Sequence, residues 1–416
     1  MRWKHRYTVL AILSSAFMVC YLDRMVMASA IPFIAKDLQL SQLAMGAVLS
    51  AFFVGYALMQ IPGGLLADRF GPRGVLTSSV TWFSIMTAVS ATAPGLGTLL
   101  AARALFGLGE GPFPPASSKA LSRWFPAGEL ARANGVQLGA TGLGATIAPL
   151  FVVALISQWG WRSVFYALLV PGLLLAGLVW RYVRNSPAES PRVTQRELAE
   201  YDLSGLQPAS TTKSFRESLR SAPVLWCAAS LFMANLVSWG LMNWLPTYLL
   251  QARGFEAHKM GVFAAITNFA GALGNPIGGY LCDRFFSQKL RIPIIWSSIL
   301  CALFTYLAAV APSGEWAVFY MVLVFLVSNM SSAAIFTLPL VVVPKHAVGG
   351  AFGIVNTAGQ IAGVLAPLFI GWILQISHGS FEFVLYAMVA LALLAVLPAS
   401  QIRQPASAEL RAEEVA

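Results

Sequence analysis

Gly63-Gly64-Leu65-Leu66-Ala67-Asp68-Arg69-Phe70 closes one apolar run, and Gly278-Gly279-Tyr280-Leu281-Cys282-Asp283-Arg284-Phe285 closes another 215 residues later. A second echo sets Ala148-Pro149-Leu150 against Ala366-Pro367-Leu368, and Gly135 against Gly353, at an offset of 218 residues. Two matches at nearly one spacing read as an internal duplication. Between the copies, residues 183–222 form the one long polar stretch, rich in Pro, Ser and Arg. The sequence therefore divides into a first half (1–182), a linker (183–222), a second half (223–402) and a short tail (403–416). Within the linker, Thr194-x-x-Glu197 has the spacing of a capping box and predicts a short helix near 195–203.

Outward from these loops the chain is strongly apolar. Hydrophobic residues make up 57% and charged residues 11%, with a mean hydropathy of +0.70; a soluble chain carries about 25% charged residues. A hydrocarbon core about 30 Å thick needs roughly 20 apolar residues per helix. Twelve such runs occur, near 8–33, 44–66, 75–94, 97–118, 131–157, 163–182, 223–250, 259–281, 292–311, 315–339, 348–375 and 381–400. Gly and Pro inside several runs are compatible with helices in a bundle, where neighbours re-satisfy the freed backbone groups. The expected fold is an all-α membrane protein of 12 transmembrane helices, six per half. The halves are expected to be related by a pseudo-two-fold axis, with a substrate site near the bilayer midplane.

The net charge of +10 is a matter of topology. With an even number of spans both termini share one side, and 21 of the 27 basic residues fall there, from Arg2 and Lys4 through Arg69, Arg73, Lys119 and Arg123 to Arg403 and Arg411. Only Lys36, Arg162, Arg253 and Lys259 lie opposite. The positive-inside rule puts both termini in the cytoplasm, and the basic excess requires no nucleic acid. The first run follows a basic cluster as a signal peptide does, but it continues through Asp23-Arg24 to full span length, so it reads as a retained helix. Cys20, Cys227, Cys282 and Cys301 fall in or at the ends of spans without C-x-x-C spacing, which predicts neither disulfides nor a metal site. The four His lie in tails or loops and no nucleotide loop occurs, so neither an enzyme nor a cofactor is expected. Short loops on the far side lean towards a bacterial inner membrane, and the chain is expected to be a monomer. Trp226, Trp244, Trp296 and Trp316, at or near span ends, read as an aromatic belt.

A charge at the centre of a transmembrane helix costs about 2.5–3.5 kcal/mol. Four charges nonetheless lie well inside spans: Asp23 and Arg24 in the first, Arg103 and Glu110 in the fourth. The second half has none. Arg103 and Glu110 are two helical turns apart and share a face, with Gly107 and Gly109 leaving that face open. The Gly111-Pro112-Phe113-Pro114-Pro115 run is expected to distort the helix just beyond. Asp23 and Arg24 point about 100° apart. Two guanidiniums facing a cavity suit a carboxylate, whose two oxygens match the donor fork, and two buried acids suit proton carriage. The same residues could instead form structural salt bridges, Asp23 with Arg103 and Glu110 with Arg24, or bridges within each helix. Gln137, Asn243, Asn268, Ser331, Ser332, Asn356 and Gln360 could complete a pocket, or bond between helices.

Gly63 to Arg73, G-G-L-L-A-D-R-F-G-P-R, resembles the 2–3 loop of the major facilitator superfamily, and its degraded copy sits where that family places it. The resemblance covers all twelve spans and implies gating roles for Asp68, Arg69 and Arg73, with Asp283 and Arg284 at the copy. Y-L-D-R (Tyr21 to Arg24), I-P-F-I-A-K-D-L (Ile31 to Leu38) and R-A-L-F-G-L-G-E-G-P-F-P-P (Arg103 to Pro115) resemble the anion:cation symporter branch, which includes galactonate-type sugar-acid carriers. That resemblance implies proton sites at Asp23 and Glu110, and substrate contacts at Arg24, Arg103, Tyr21 and Tyr56. It implies proton-coupled uptake of a small organic acid anion by alternating access, or carriage of an aromatic or dicarboxylic acid, or exchange. The absence of a basic residue in the seventh span counts against a sugar-phosphate antiporter. Gly139 to Pro149 does not fit the multidrug exporter pattern, and a non-translocating carboxylate receptor would need signalling domains that the chain lacks.

Overall fold

In hydrocarbon a backbone amide finds no partner outside its own helix, so apolar runs of this length fold as helices. The computed structural model describes residues 4–198, 218–286, 289–343 and 348–402. The tail 403–416, the middle of the linker and positions 199–203 of its expected helix lie outside the described residues. The helices are α1 (His5–Leu38), α2 (Gln42–Phe70), α3 (Pro72–Ala91), α4 (Leu96–Glu110), α5 (Phe113–Trp124), α6 (Ala127–Tyr182), α7 (Gln195–Leu198), α8 (Ala222–Thr247), α9 (Ala257–Leu281), α10 (Arg291–Ala309), α11 (Gly314–Val342), α12 (Val348–Ile376), α13 (Phe381–Leu394) and α14 (Val396–Gln401). Among the described residues, nine helices are long and apolar enough to cross a membrane. One of them, α6, holds two spans that meet at Gly160, whose φ of 73° breaks the helix. The fourth span is α4 plus α5, and the eighth is α9, which completes the expected twelve.

Local chemistry explains the boundaries. Ser41 accepts a bond from the Ala44 N–H and starts α2; Ser313 accepts one from Trp316 and starts α11. Pro72 stands at the first turn of α3, where its missing N–H costs nothing. The fourth span breaks after Glu110, where Gly111 and Pro112 intervene before α5, as the Gly-Pro run predicts. At the far end of α1, Asp37 Oδ2 accepts bonds from Trp161 Nε1 at 3.0 Å and Arg162 Nη1 at 2.8 Å, tying the α6 break to α1.

The residues cluster into two compact units, Met1–Leu206 with Glu256–Ala265, and Gln207–Phe255 with Ile266–Ala416. In the first, α1 packs along α6, α2 along α4, and α3 along α4 and α6. Backbones touch where α2 meets α4: a Cβ on Gly55 would lie 2.1 Å from the Ala104 carbonyl oxygen, and one on Gly107 2.1 Å from that of Phe52. A Cβ on Gly109 would meet the Trp82 ring at 2.0 Å. Gly107 and Gly109 therefore do not leave the Arg103–Glu110 face open. They let α2 and α3 close against α4.

In the second unit α8 packs along α12, and α10 along α11. Its core is aliphatic, with Val224, Leu231, Ile294, Leu338 and Val355 among its buried residues. Trp244 departs from the aromatic-belt reading: it is buried, and its indole N–H bonds the Pro367 carbonyl at 3.2 Å. Trp226, Trp296 and Trp316 are exposed, as belt residues are.

Candidate functional site

The four buried charges meet on α1 and α4. Arg24 Nη2 donates to Glu110 Oε1 at 2.5 Å, with both side chains buried. Tyr21 lies one turn before Arg24 on α1, and Phe52 and Tyr56 lie one turn apart on α2. Their three ring centroids stand 4.6, 4.5 and 4.8 Å from the Arg24 Cζ. The guanidinium is thus caged by three π faces and paired with one carboxylate, which is how a cation is held away from water at tolerable cost. The close α2–α4 approach at Gly55 and Gly107 is what brings Phe52 and Tyr56 to this cage.

Asp23 and Arg103 lie in the same electrostatic neighbourhood, with Thr87 of α3 beside Asp23. They make no ion pair of the kind Arg24 and Glu110 make. Neither Asp23 carboxylate oxygen, nor Arg103 Nε or Nη1, nor Glu110 Oε2 has a hydrogen-bond partner among the described residues, and all are buried. Arg103 leans on Phe106, 4.5 Å from Cζ to the centroid, and on Phe52 at 5.6 Å. Buried polar groups are nearly always bonded, and an unpaired buried charge is expensive. This cluster keeps several donors and acceptors unspent. Of the two inter-helix salt bridges the sequence allowed, one forms.

Of the other sequence candidates, Gln137 is buried and its amide donates to Ser117 Oγ at 2.6 Å, joining α6 to α5. In the second unit, Asn356 and Gln360 sit one turn apart on α12, and the Gln360 Oε1 is buried without a hydrogen-bond partner among the described residues. Asn243 bonds back to the Trp239 carbonyl in its own helix. Asp68 forms an ion pair with Lys119 of α5. Arg73 is held by the α6 end: its backbone N–H donates to Asn185 Oδ1 and its Nε to the Trp180 carbonyl, each at 3.0 Å. Arg69 lies over Phe70. Asp283 and Arg284 occupy a π-helical turn, Cys282–Phe286, at the end of α9.

Several of these partners escape a reading of the sequence. Lys119 looks like one more topogenic charge, Thr87 and Ser117 like ordinary helix polar residues, and Phe52 and Phe106 like core. Their spacing held a clue: Phe52 and Tyr56 share a face, as do Arg103, Phe106 and Glu110, and a glycine near each pair marks where two backbones meet.

Residues 13–367 match the family model described as Major Facilitator Superfamily. The chain belongs to the Major Facilitator Superfamily. It is therefore a multi-pass membrane transporter and not an enzyme. Within the superfamily it is 30% identical over 405 residues to the probable sulfoacetate transporter SauU of Cupriavidus necator, covering 95% of this chain and 93% of that one. It is 28% identical to the hexuronate transporter of Bacillus subtilis (97% and 96% covered) and 29% identical to the probable galactarate/D-glucarate transporter GarP of Escherichia coli K12 (94% and 93%). Its fold is similar to the crystal structure of a bacterial homologue of the human lysosomal transporter Spinster, with a TM-score of 0.78 at 21% identity, covering 97% and 95% of the two chains. The major facilitator fold implied by the resemblance of the 2–3 loop is the one the chain adopts.

Proposed function

We propose that this transporter takes up a small organic acid anion together with one or more protons, by alternating access. The observation that carries the reading is the buried cluster in which Arg103 retains unpaired donors beside the Arg24–Glu110 pair and the unpaired Asp23. An incoming carboxylate matches the guanidinium fork, and its arrival beside Glu110 and Asp23 changes which acids the guanidiniums can neutralise. Arg24 and Arg103 then bind substrate, with Tyr21 and Tyr56 walling it, and Asp23 and Glu110 carry protons. Gln137, Asn356 and Gln360 keep the substrate-binding role assigned from sequence. Asp68, Arg69 and Arg73, with Asp283 and Arg284, keep the gating role. The relatives support an acid anion: sulfoacetate, hexuronate and galactarate/D-glucarate, for which they are named, all carry acidic groups on a small oxygenated skeleton. A bacterial inner membrane, cytoplasmic termini and a monomeric carrier belong to the same proposal.

The test is uptake into proteoliposomes of purified protein, with a panel of sugar acids, sulfonated acids and aromatic acids, with and without an imposed pH gradient, acidic outside. Accumulation of at least one acid above its equilibrium level, abolished by a protonophore, is expected. Equal uptake with and without the gradient would refute proton coupling while leaving anion carriage in place.

A further inference from the structure

Five basic or aromatic side chains at one end of α6, with Arg73 from the start of α3, form a cluster away from the buried charges, and of its members only Arg73 has a role in the proposed transport cycle. The guanidinium of Arg73 stacks on the Trp180 indole, 3.8 Å from Cζ to the ring centroid, and its Nε bonds the Trp180 carbonyl at 3.0 Å. Arg192 lies over the Tyr182 ring at 4.3 Å, and its Nη1 bonds the Arg181 carbonyl at 3.3 Å. Arg184 and Glu189 both lie within electrostatic range of Arg73. Arg181 is exposed, and its guanidinium stands 5.9 Å from the Tyr182 centroid. None of these four guanidiniums forms an ion pair among the described residues, in contrast to Arg6, Arg24, Lys119 and Arg162, which all do. Arg73 and Arg192 are oriented by carbonyls and π faces, so their charge is positioned without being neutralised. Trp180 is half exposed at the end of a span, where an indole sits at headgroup depth. Stacked on it, the Arg73 guanidinium is held at the same depth.

We propose that this cluster binds the phosphate of an anionic phospholipid, with Arg73, Arg184 and Arg192 around the headgroup, Arg181 at the rim, and Trp180 and Tyr182 at the acyl boundary. Charge complementarity selects the anionic headgroup, and the planar donor fork suits its phosphate oxygens. The belt position of Trp180 selects a lipid over a soluble anion. A lipid seated there would brace the Asp68–Arg73 loop against the α6 end, through the bond from the Arg73 N–H to Asn185.

Thermal unfolding of the purified full chain in detergent tests this, with short-chain phosphatidylglycerol, short-chain phosphatidylcholine or inorganic phosphate added. Phosphatidylglycerol alone is expected to raise Tm. Each of Arg73→Gln, Arg184→Gln and Arg192→Gln should raise the lipid concentration needed by about fivefold. Arg181→Gln, at an exposed position, covers the case in which an inward arginine variant fails to fold, and should show a smaller rise. Lys36→Gln, at the far end of α1, should change nothing. An equal shift with phosphatidylcholine, a shift with phosphate alone, or a lipid response indifferent to the arginines would each overturn the proposal.

Discussion

Arg103 and Arg24 are both buried arginines in one half of the molecule, yet they are held differently. Arg24 is paired with Glu110 and faced by three rings, whereas Arg103 makes no ion pair and leans on Phe106 with Nε and Nη1 lacking hydrogen-bond partners among the described residues. A lysine at position 103 would keep the charge and lose the fork. Arg103→Lys is thus expected to raise KM for the carried acid tenfold or more, measured as initial uptake rates. Glu110→Gln is expected to abolish gradient-driven accumulation while sparing part of the exchange of labelled for unlabelled substrate across the membrane. Loss of all substrate binding would recast Glu110 as a substrate or structural residue. Truncating Arg24 alone strands Glu110, and breaking a buried pair costs about 3–5 kcal/mol. The double change Arg24→Gln with Glu110→Gln should recover part of the Tm that Arg24→Gln loses. The four charges are legible from sequence because hydrocarbon makes each one conspicuous. The Arg24–Glu110 pair is legible too, as one of the bridges the sequence allows; that Asp23 and Arg103 leave theirs unmade is not, because packing and not helical spacing sets how near two side chains come.

Among the elements, α2 and α4 illustrate what packing adds. Gly55 and Gly107 each press a backbone against the opposite helix with no room for a methyl group. Gly107→Val is expected to destabilise the protein by about 3 kcal/mol and to impair transport more than its stability loss explains, since Phe52 and Tyr56 would draw back from Arg24. Thermal unfolding paired with KM measurements separates the two effects. Span positions are legible because their signal is simple: length and apolarity. The broken fourth span is equally legible, since Pro112 has no N–H to donate back along the helix and Gly111 beside it is a weak helix former. The role of Gly107 is not, because an open face and a close contact demand the same absent side chain.

For the molecule as a whole, the linker is more than a connection. Glu197 of α7 is buried, and its carboxylate accepts bonds from the backbone N–H groups of His5 and Arg6, both at 3.3 Å. Lys4, the residue before α1, supplies no side-chain cap of its own. The same Glu197 donates its backbone N–H to Thr194 Oγ1 at 3.3 Å, so half of the expected capping box forms while the carboxylate serves another helix. Arg6 also pairs with Glu129 at 2.8 Å at the start of α6. Glu197→Ala is expected to cost ~1 kcal/mol of stability and to accelerate tryptic cleavage after Arg192. Glu197→Gln, which keeps an acceptor, should do less of both. Duplication, span number and charge bias made the two-bundle plan readable from the chain alone. The Glu197 contact was unreadable, since it joins residues about 190 positions apart through backbone groups that carry no sequence mark.

That contact also sets an order of events during synthesis. The N-terminus of α1 leaves the ribosome first, but its capping carboxylate is made 192 residues later. At about 5–20 residues per second, the first amides of α1 are left to water for roughly 10–40 s before Glu197 can accept from them. The capped start of α1 is thereby a late event, available only once the linker has followed the last span of the first half.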